Sequence, residues 1–217
     1  MRRLCVLLSL INSTLVFSQE HTRIDSLRGH LTPIRTCYDV TFYDLDVAID
    51  EQEKSIERSS NTIHFTALSN FNWFQIDLAF NMEVLLVEFE GTQLEFARES
   101  DAVYIYFNRE IKKGEQTRIK VWYGGYPREA VNPPWDGGFS WKKDKNDKPW
   151  IGVSCQGLGA SVWWPNKDHQ SDEPDSMRIK VAARSPLKIV ANGDLRSDTL
   201  VWNQYFNSWM NVSEWFV

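Results

Sequence analysis

The run from Val153 to Pro174, VSCQGLGASVWWPNKDHQSDEP, brings together most of the side-chain types that do chemistry: an amide, a thiol, hydroxyls, carboxylates and a histidine. Each type makes a geometric demand. A serine nucleophile needs a base that a third group orients, and neither Ser154 nor Ser161 stands in a G-x-S-x-G turn; Gly157 to Ser161 resembles that elbow only superficially. Asp168, His169, Asp172 and Glu173 suit a divalent cation. Zinc, however, wants further N or S ligands at fixed spacing, and the chain has no H-E-x-x-H pair. The glycine-punctuated loop of a calcium site is missing too. The expectation is a polar loop whose carboxylates accept backbone N–H bonds, with no catalytic and no metal-ligating residue in this chain.

Gln156 raises a different possibility. It follows an expected strand, WIGVS, and precedes GLGA, so its glycine flank lets a ligand or another backbone approach closely. An amide there either recognises polar ligand atoms or satisfies its own loop, and residue chemistry leaves both open. Trp163 and Trp164, if on a strand, face opposite sides; an outward ring near Trp135, Trp141 and Trp150 would stack on a sugar, whereas an inward one packs the core. His64 reads as a solvent-facing side chain on a strand.

The elements that must position these residues have a period of two. In YDVTFYDLDVAID, Tyr43, Leu45, Val47 and Ile49 alternate with Asp44, Asp46 and Asp50. NTIHFTAL places Ile63, Phe65 and Ala67 inward, WFQIDL places Phe74, Ile76 and Leu78 inward, and VYIYF, TRIKVWY and MRIKVAA follow suit. Turns are expected at 59–61, 90–92, 113–115, 124–125 and 191–193. No segment sustains a helical period, so the fold class is all-β, an antiparallel sandwich. Pro127–Pro149 is expected to lack strands, with KKDKNDK as a solvated hairpin tip.

Of the 217 residues 42% are hydrophobic, ten are tryptophan, and the net charge is -5. That supports a sizeable core and argues against nucleic acid as a partner, because phosphate binding wants a basic face. Residues 1–18 carry Arg2 and Arg3 before an apolar run, the pattern of a cleaved secretory signal too short for a membrane span; the mature protein is expected to be exported, periplasmic or secreted. Cys37 and Cys155 then remain. They either pair, if the fold brings them together, or sit as two small buried residues.

In order, TCYDVTFYDLDVAID, IHFTAL, FQIDL, VYIYF, KVWYGGYP and WIGVSCQGLGASVWWPNKDHQSDEPDSMRIKV resemble the N-terminal domain of the zinc aminopeptidase family that includes aminopeptidase N and leukotriene-A-hydrolase-type enzymes. The likeness runs from about Thr36 to Leu195 and is closest to secreted bacterial members. It implies a saddle-like β-sandwich spanning 36–198 after a lead-in at 19–35, packed against a catalytic domain that carries the zinc. It also implies that Gln156 contacts the amino terminus or first carbonyl of a peptide substrate, with Gly157, Gly159 and Ala160 lining the pocket edge. The family's glycine-rich substrate loop, zinc motif and oxyanion tyrosine are absent from the chain, and 199–217 departs from the family's continuation. The expectation is therefore a domain inactive alone, its coding region truncated or disrupted. The competing expectation is a secreted standalone module that binds glycan or protein through exposed tryptophans.

Overall fold

A computed structural model describes residues 22–217; the expected signal at 1–18 lies outside them. Two short helices lead in, α1 (Arg23–Gly29) and α2 (Pro33–Thr36). The lead-in sequence shows why. Thr22 and Asp25 form a capping box that satisfies the first free N–H groups of α1, and Pro33 opens α2 with its φ already helical. Only the brevity of both helices hid them from a periodicity reading.

The long strands β1 (Tyr38–Asp50) and β2 (Ser55–Ala67) form the middle of the main sheet. On one side of them lie β8 (Gln116–Gly125), β4 (Met82–Phe89) and the two-residue β5 (Thr92–Gln93). On the other lie β11 (Ser176–Arg184), β13 (Ser208–Phe216) and, at the edge, β12 (Asp194–Asn203), which completes an eight-stranded sheet. A three-stranded sheet, β3 (Phe71–Asp77), β7 (Ala102–Ile111) and β6 (Glu95–Glu99), packs over it, while β9 (Gly138–Lys143) and β10 (Pro149–Ser154) make a separate hairpin.

Alternation gives the sandwich its dry interior. Phe65 of the large sheet meets Phe74 of the small one edge to face at 5.4 Å, and Tyr38 stacks on Phe74 at 4.3 Å. The expected inward residues of β1, β2 and β3 are in this core, Ile49 at its margin. The all-β sandwich is therefore the observed architecture, with one departure from pure antiparallel pairing: β1 runs parallel to β11. That register places Asp46 beside Lys180 and Asp44 beside Arg178, and the pairs bond at 2.6 Å on the solvent side.

Four expectations need correction. Gly124 and Gly125 are not a turn but the paired end of β8, Gly125 lying between Ile56 and Met82. Ser59 to Asn61 are not a turn but the buried middle of β2, where a bulge with Arg58 at φ 45° absorbs the irregularity. Pro127–Pro149 does contain a strand: β9 starts at Gly138, whose φ of 135° and close approach to the Arg128 carbonyl leave no room for a Cβ. Its tip at Asp144–Lys148 is the solvated turn expected. Trp163 and Trp164 lie at the end of a 3-10 turn (Ala160–Val162), not on a strand, and both pack inward, Trp163 on Phe139 and Trp164 on Tyr43. Residues 199–217 continue β12 and form β13, so the strand runs through position 198 without a break.

Candidate functional site

After β10 the chain reverses through Cys155–Gly159. The Leu158 and Gly159 N–H groups both donate to the Cys155 carbonyl, at 3.2 and 2.9 Å, while Gly157 and Gly159 take φ of 74° and 77°. Gln156 sits at the apex of this turn, exposed, and its side chain makes no hydrogen bond among the described residues. The two glycines differ in surroundings. A Cβ on Gly157 would meet open space, whereas one on Gly159 would overlap the Asp168 carboxylate. Ala160 begins the 3-10 turn and packs on the core. The structure thus presents Gln156 and Gly157 outward, with Gly159 and Ala160 as the floor beneath them.

That floor is braced by Asp168 and Ser161 and by four groups the motif search did not single out, Arg28, Arg35, Gln75 and Asp77. Asp168 accepts bonds from the Ser161 N–H at 3.1 Å and the Ser161 hydroxyl at 2.6 Å. Its own N–H donates to Asp77 at 3.0 Å, and its carbonyl accepts from Arg35 at 3.0 Å. Arg35 is wholly buried; it also donates to Asp77 at 2.6 Å and to the Leu27 and Arg28 carbonyls. Gln75 joins from β3, donating to Leu27 and Asp77 at 2.9 Å each. Arg28 closes the set by donating to the Leu158 carbonyl inside the turn. Burial pushes the Asp77 carboxyl up to about 6, although Arg35, Gln75 and the Asp168 N–H all pull it back. Alternation assigned Gln75 and Asp77 to a solvent face; α1 and α2 cover that face instead, and the capping pattern Thr22-x-x-Asp25 was the available signal.

The acidic knot downstream is structural. Asp172 pairs with buried Lys167 and accepts the Val40 N–H, and Lys167 also donates to the Tyr38 carbonyl at 2.6 Å. His169 exchanges a bond with Ser171 at 2.8 Å. Ser161 is engaged by Asp168, Ser154 by the Asp136 carbonyl at 2.7 Å, and neither by His169. Among the described residues no group of three His, Cys, Asp or Glu is arranged to hold a metal ion. Asp168, His169 and Asp172 are already engaged in hydrogen bonds and ion pairs, so they do not fit a zinc site. Cys37 and Cys155 are unpaired thiols, and burial raises both, Cys37 to about 11. His64 is half-buried beside Phe42, with its pKa lowered by burial and by Arg118.

Beside the turn lies the 131–137 loop. Gly137 abuts Leu158, and Asp136 gathers the Val131 and Asn132 N–H groups at 2.8 Å. Val131 at 88% and Trp135 at 69% are exposed on this loop, and Val153 at 43% on β10, the strand that leads into the turn.

No family model matches this chain, and no curated protein does either. Among solved structures it is similar to an M1 zinc metallopeptidase from Deinococcus radiodurans, with a TM-score of 0.65 and 19% identity over 82% of this chain and 38% of that one. The E323A mutant of that enzyme bound to a Tyr-Ser-Ala substrate superposes with a TM-score of 0.66 at 19% identity, again over 82% of this chain and 39% of that one. The fold is that of the M1 zinc metallopeptidases. Native yeast LTA4 hydrolase shares it with a TM-score of 0.62 and 16% identity, over 89% of this chain and 30% of its own. The chain spans less than two fifths of the length of these M1 structures. The M1 fold agrees with the resemblance drawn from the sequence.

Proposed function

We propose that this chain is the β domain of an M1-type zinc aminopeptidase, exported by its basic and apolar leader, which packs against a zinc-bearing catalytic domain and supplies Gln156 to the substrate. The observation that carries this reading is the braced turn. It holds one exposed amide, unengaged among the described residues, at its apex, beside a loop that exposes Val131 and Trp135. An amide offers an acceptor to an ammonium group and a donor to a carbonyl, the two polar features at the first residue of a peptide. Its work is orientation: Gln156 transfers no proton, and the zinc, polarising the carbonyl or its attacking water, belongs to the other domain. Gly157 leaves the approach to the amide open.

The test is a chimera in which residues 22–217 replace the equivalent segment of the Deinococcus radiodurans enzyme. The expected result is a zinc-loaded protein that hydrolyses Tyr-Ser-Ala, in which Gln156→Ala raises KM about tenfold with little change in kcat. A folded chimera with the same KM with and without Gln156 overturns the role given to that residue. A chimera that melts cooperatively but neither takes up zinc nor turns over substrate overturns the domain assignment.

A further inference from the structure

The outer face of the three-stranded sheet carries a second unassigned surface. Trp73 on β3 and Tyr106 on β7 are direct cross-strand partners, and their rings lie nearly parallel, 17° apart with centroids at 5.9 Å. Both are exposed, at 37% and 40%. Tyr104 stands beside them, its ring 5.9 Å from Trp73, and its hydroxyl donates to Glu99 at 3.1 Å, which Arg23 grips from α1. On β6, small Ala97 faces Tyr104 and the exposed side chain of Glu95 lies opposite Tyr106. Alternation alone would put polar residues at these positions; aromatic rings on a solvent face are the departure that asks for a ligand.

The polar half of the surface comes from a break in register. Between Phe71↔Ile111 and Trp73↔Tyr106, β3 contributes Asn72 alone while β7 contributes Phe107 to Glu110. The bulged strand bends away and leaves an open depression of about 410 Å³, lined by Asn70, Asn72 and Asn108 among others. Asn72 and Asn108 are exposed, and their amides make no hydrogen bond among the described residues. Nearby Arg109 is neutralised by Glu90 and Glu115, each at 2.6 Å, and Lys112 is paired with Glu110. Arg109, the cation that lines the depression, is therefore already paired.

We propose that this face is a binding site for a neutral oligosaccharide, one sugar ring packing against the exposed Trp73–Tyr106 stack and the next reaching the Asn72 and Asn108 amides. The C–H face of a pyranose is apolar and its rim is a ring of hydroxyls, so it matches parallel aromatic rings flanked by groups that both donate and accept. Trp135 and Trp150, although more exposed, make no ring contact among the described residues and have no such platform. The site is independent of the role given to Gln156.

Titration of the full chain with cellohexaose and with mannohexaose, followed by tryptophan fluorescence and calorimetry, tests this directly. At least one is expected to bind saturably, with affinity reduced about tenfold or more in Trp73→Ala and Tyr106→Ala and unchanged in Trp150→Ala. Ala97→Arg, which covers the platform from an exposed position without touching the core, is expected to block binding while the melting temperature holds; it serves if an aromatic variant unfolds. Failure of both sugars to bind overturns the proposal. So does binding that survives Ala97→Arg in a folded protein, or hexagalacturonate binding as tightly as the neutral sugars.

Discussion

At the scale of single residues, the glycines of the Gln156 turn separate two physical reasons for glycine. Gly157 needs a positive φ and has open space around it; Gly159 needs the same φ and also has the Asp168 carboxylate where a Cβ would be. Gly157→Ala should therefore lose about 1–2 kcal/mol, the cost of a left-handed L-residue. Gly159→Ala should lose more, because it also pushes Asp168 off Ser161. Urea unfolding measures both, and equal losses would show that Asp168 gives way freely. Asp77 has a pH signature. The folded carboxyl holds its proton up to about pH 6, whereas in the unfolded chain it ionises near the ordinary value of about 4. Between those limits the native state binds the extra proton, so this group's contribution to stability is fully present below the lower limit and falls as pH rises through the upper one. Subtracting the unfolding free energy of Asp77→Asn from that of wild type should give a difference that declines across this window and is flat outside it. A difference that stays flat toward pH 6 and rises with pH only around and below about pH 4 would mean that Arg35 dominates and the carboxyl is already ionised in the window.

At the scale of elements, α1 and α2 act as braces that fix the Gln156 turn, although they lie more than a hundred residues before it in the chain. Arg35 carries that coupling: one buried guanidinium joins α1 carbonyls, Asp77 on β3 and the Asp168 carbonyl. Arg35→Leu leaves Asp77 buried without its cation, a loss of about 3–5 kcal/mol. Hydrogen exchange should show the first protection lost at α1 and at residues 158–161, ahead of the β1–β2 pairing; uniform loss across the sheet would refute the brace. The same residue marks the limit of what the sequence shows. The strands of the sandwich were legible because Phe65, Phe74, Ile76 and their neighbours repeat every second position, and a one-residue slip would turn every one of them to solvent. The Gln156 turn was legible from its glycines. Arg35, Gln75 and Asp77 were not, because a charged or amide side chain on an alternating strand has the same local pattern whether water or a helix lies over it. The β1–β11 parallel pairing was hidden for a related reason: Asp44 and Arg178 are far apart in the chain, and only the topology makes them neighbours.

At the scale of the whole molecule, the two edges of the main sheet are managed differently. One ends in β5, only two residues long, which offers little backbone for another chain to pair with. The other ends in β12, ten residues without proline or glycine, along which nearly every side chain is exposed. Its second half carries Leu200, Val201 and Trp202, and Trp202 meets Trp209 of β13 at 5.7 Å on a ribbon that no layer covers. Asp194, Arg196 and Asp198 guard the first half, whereas the apolar half has no charge to deter pairing. The isolated chain should therefore self-associate through β12 with increasing concentration. Light scattering after gel filtration should show mass rising with loading for wild type. Val201→Lys should return it to the monomer mass without lowering the melting temperature, because Val201 is half exposed at an edge. If Val201→Lys associates as strongly as wild type while Trp135→Lys does not, the contact is the 131–137 loop beside the Gln156 turn instead, a surface that the proposed catalytic domain would cover.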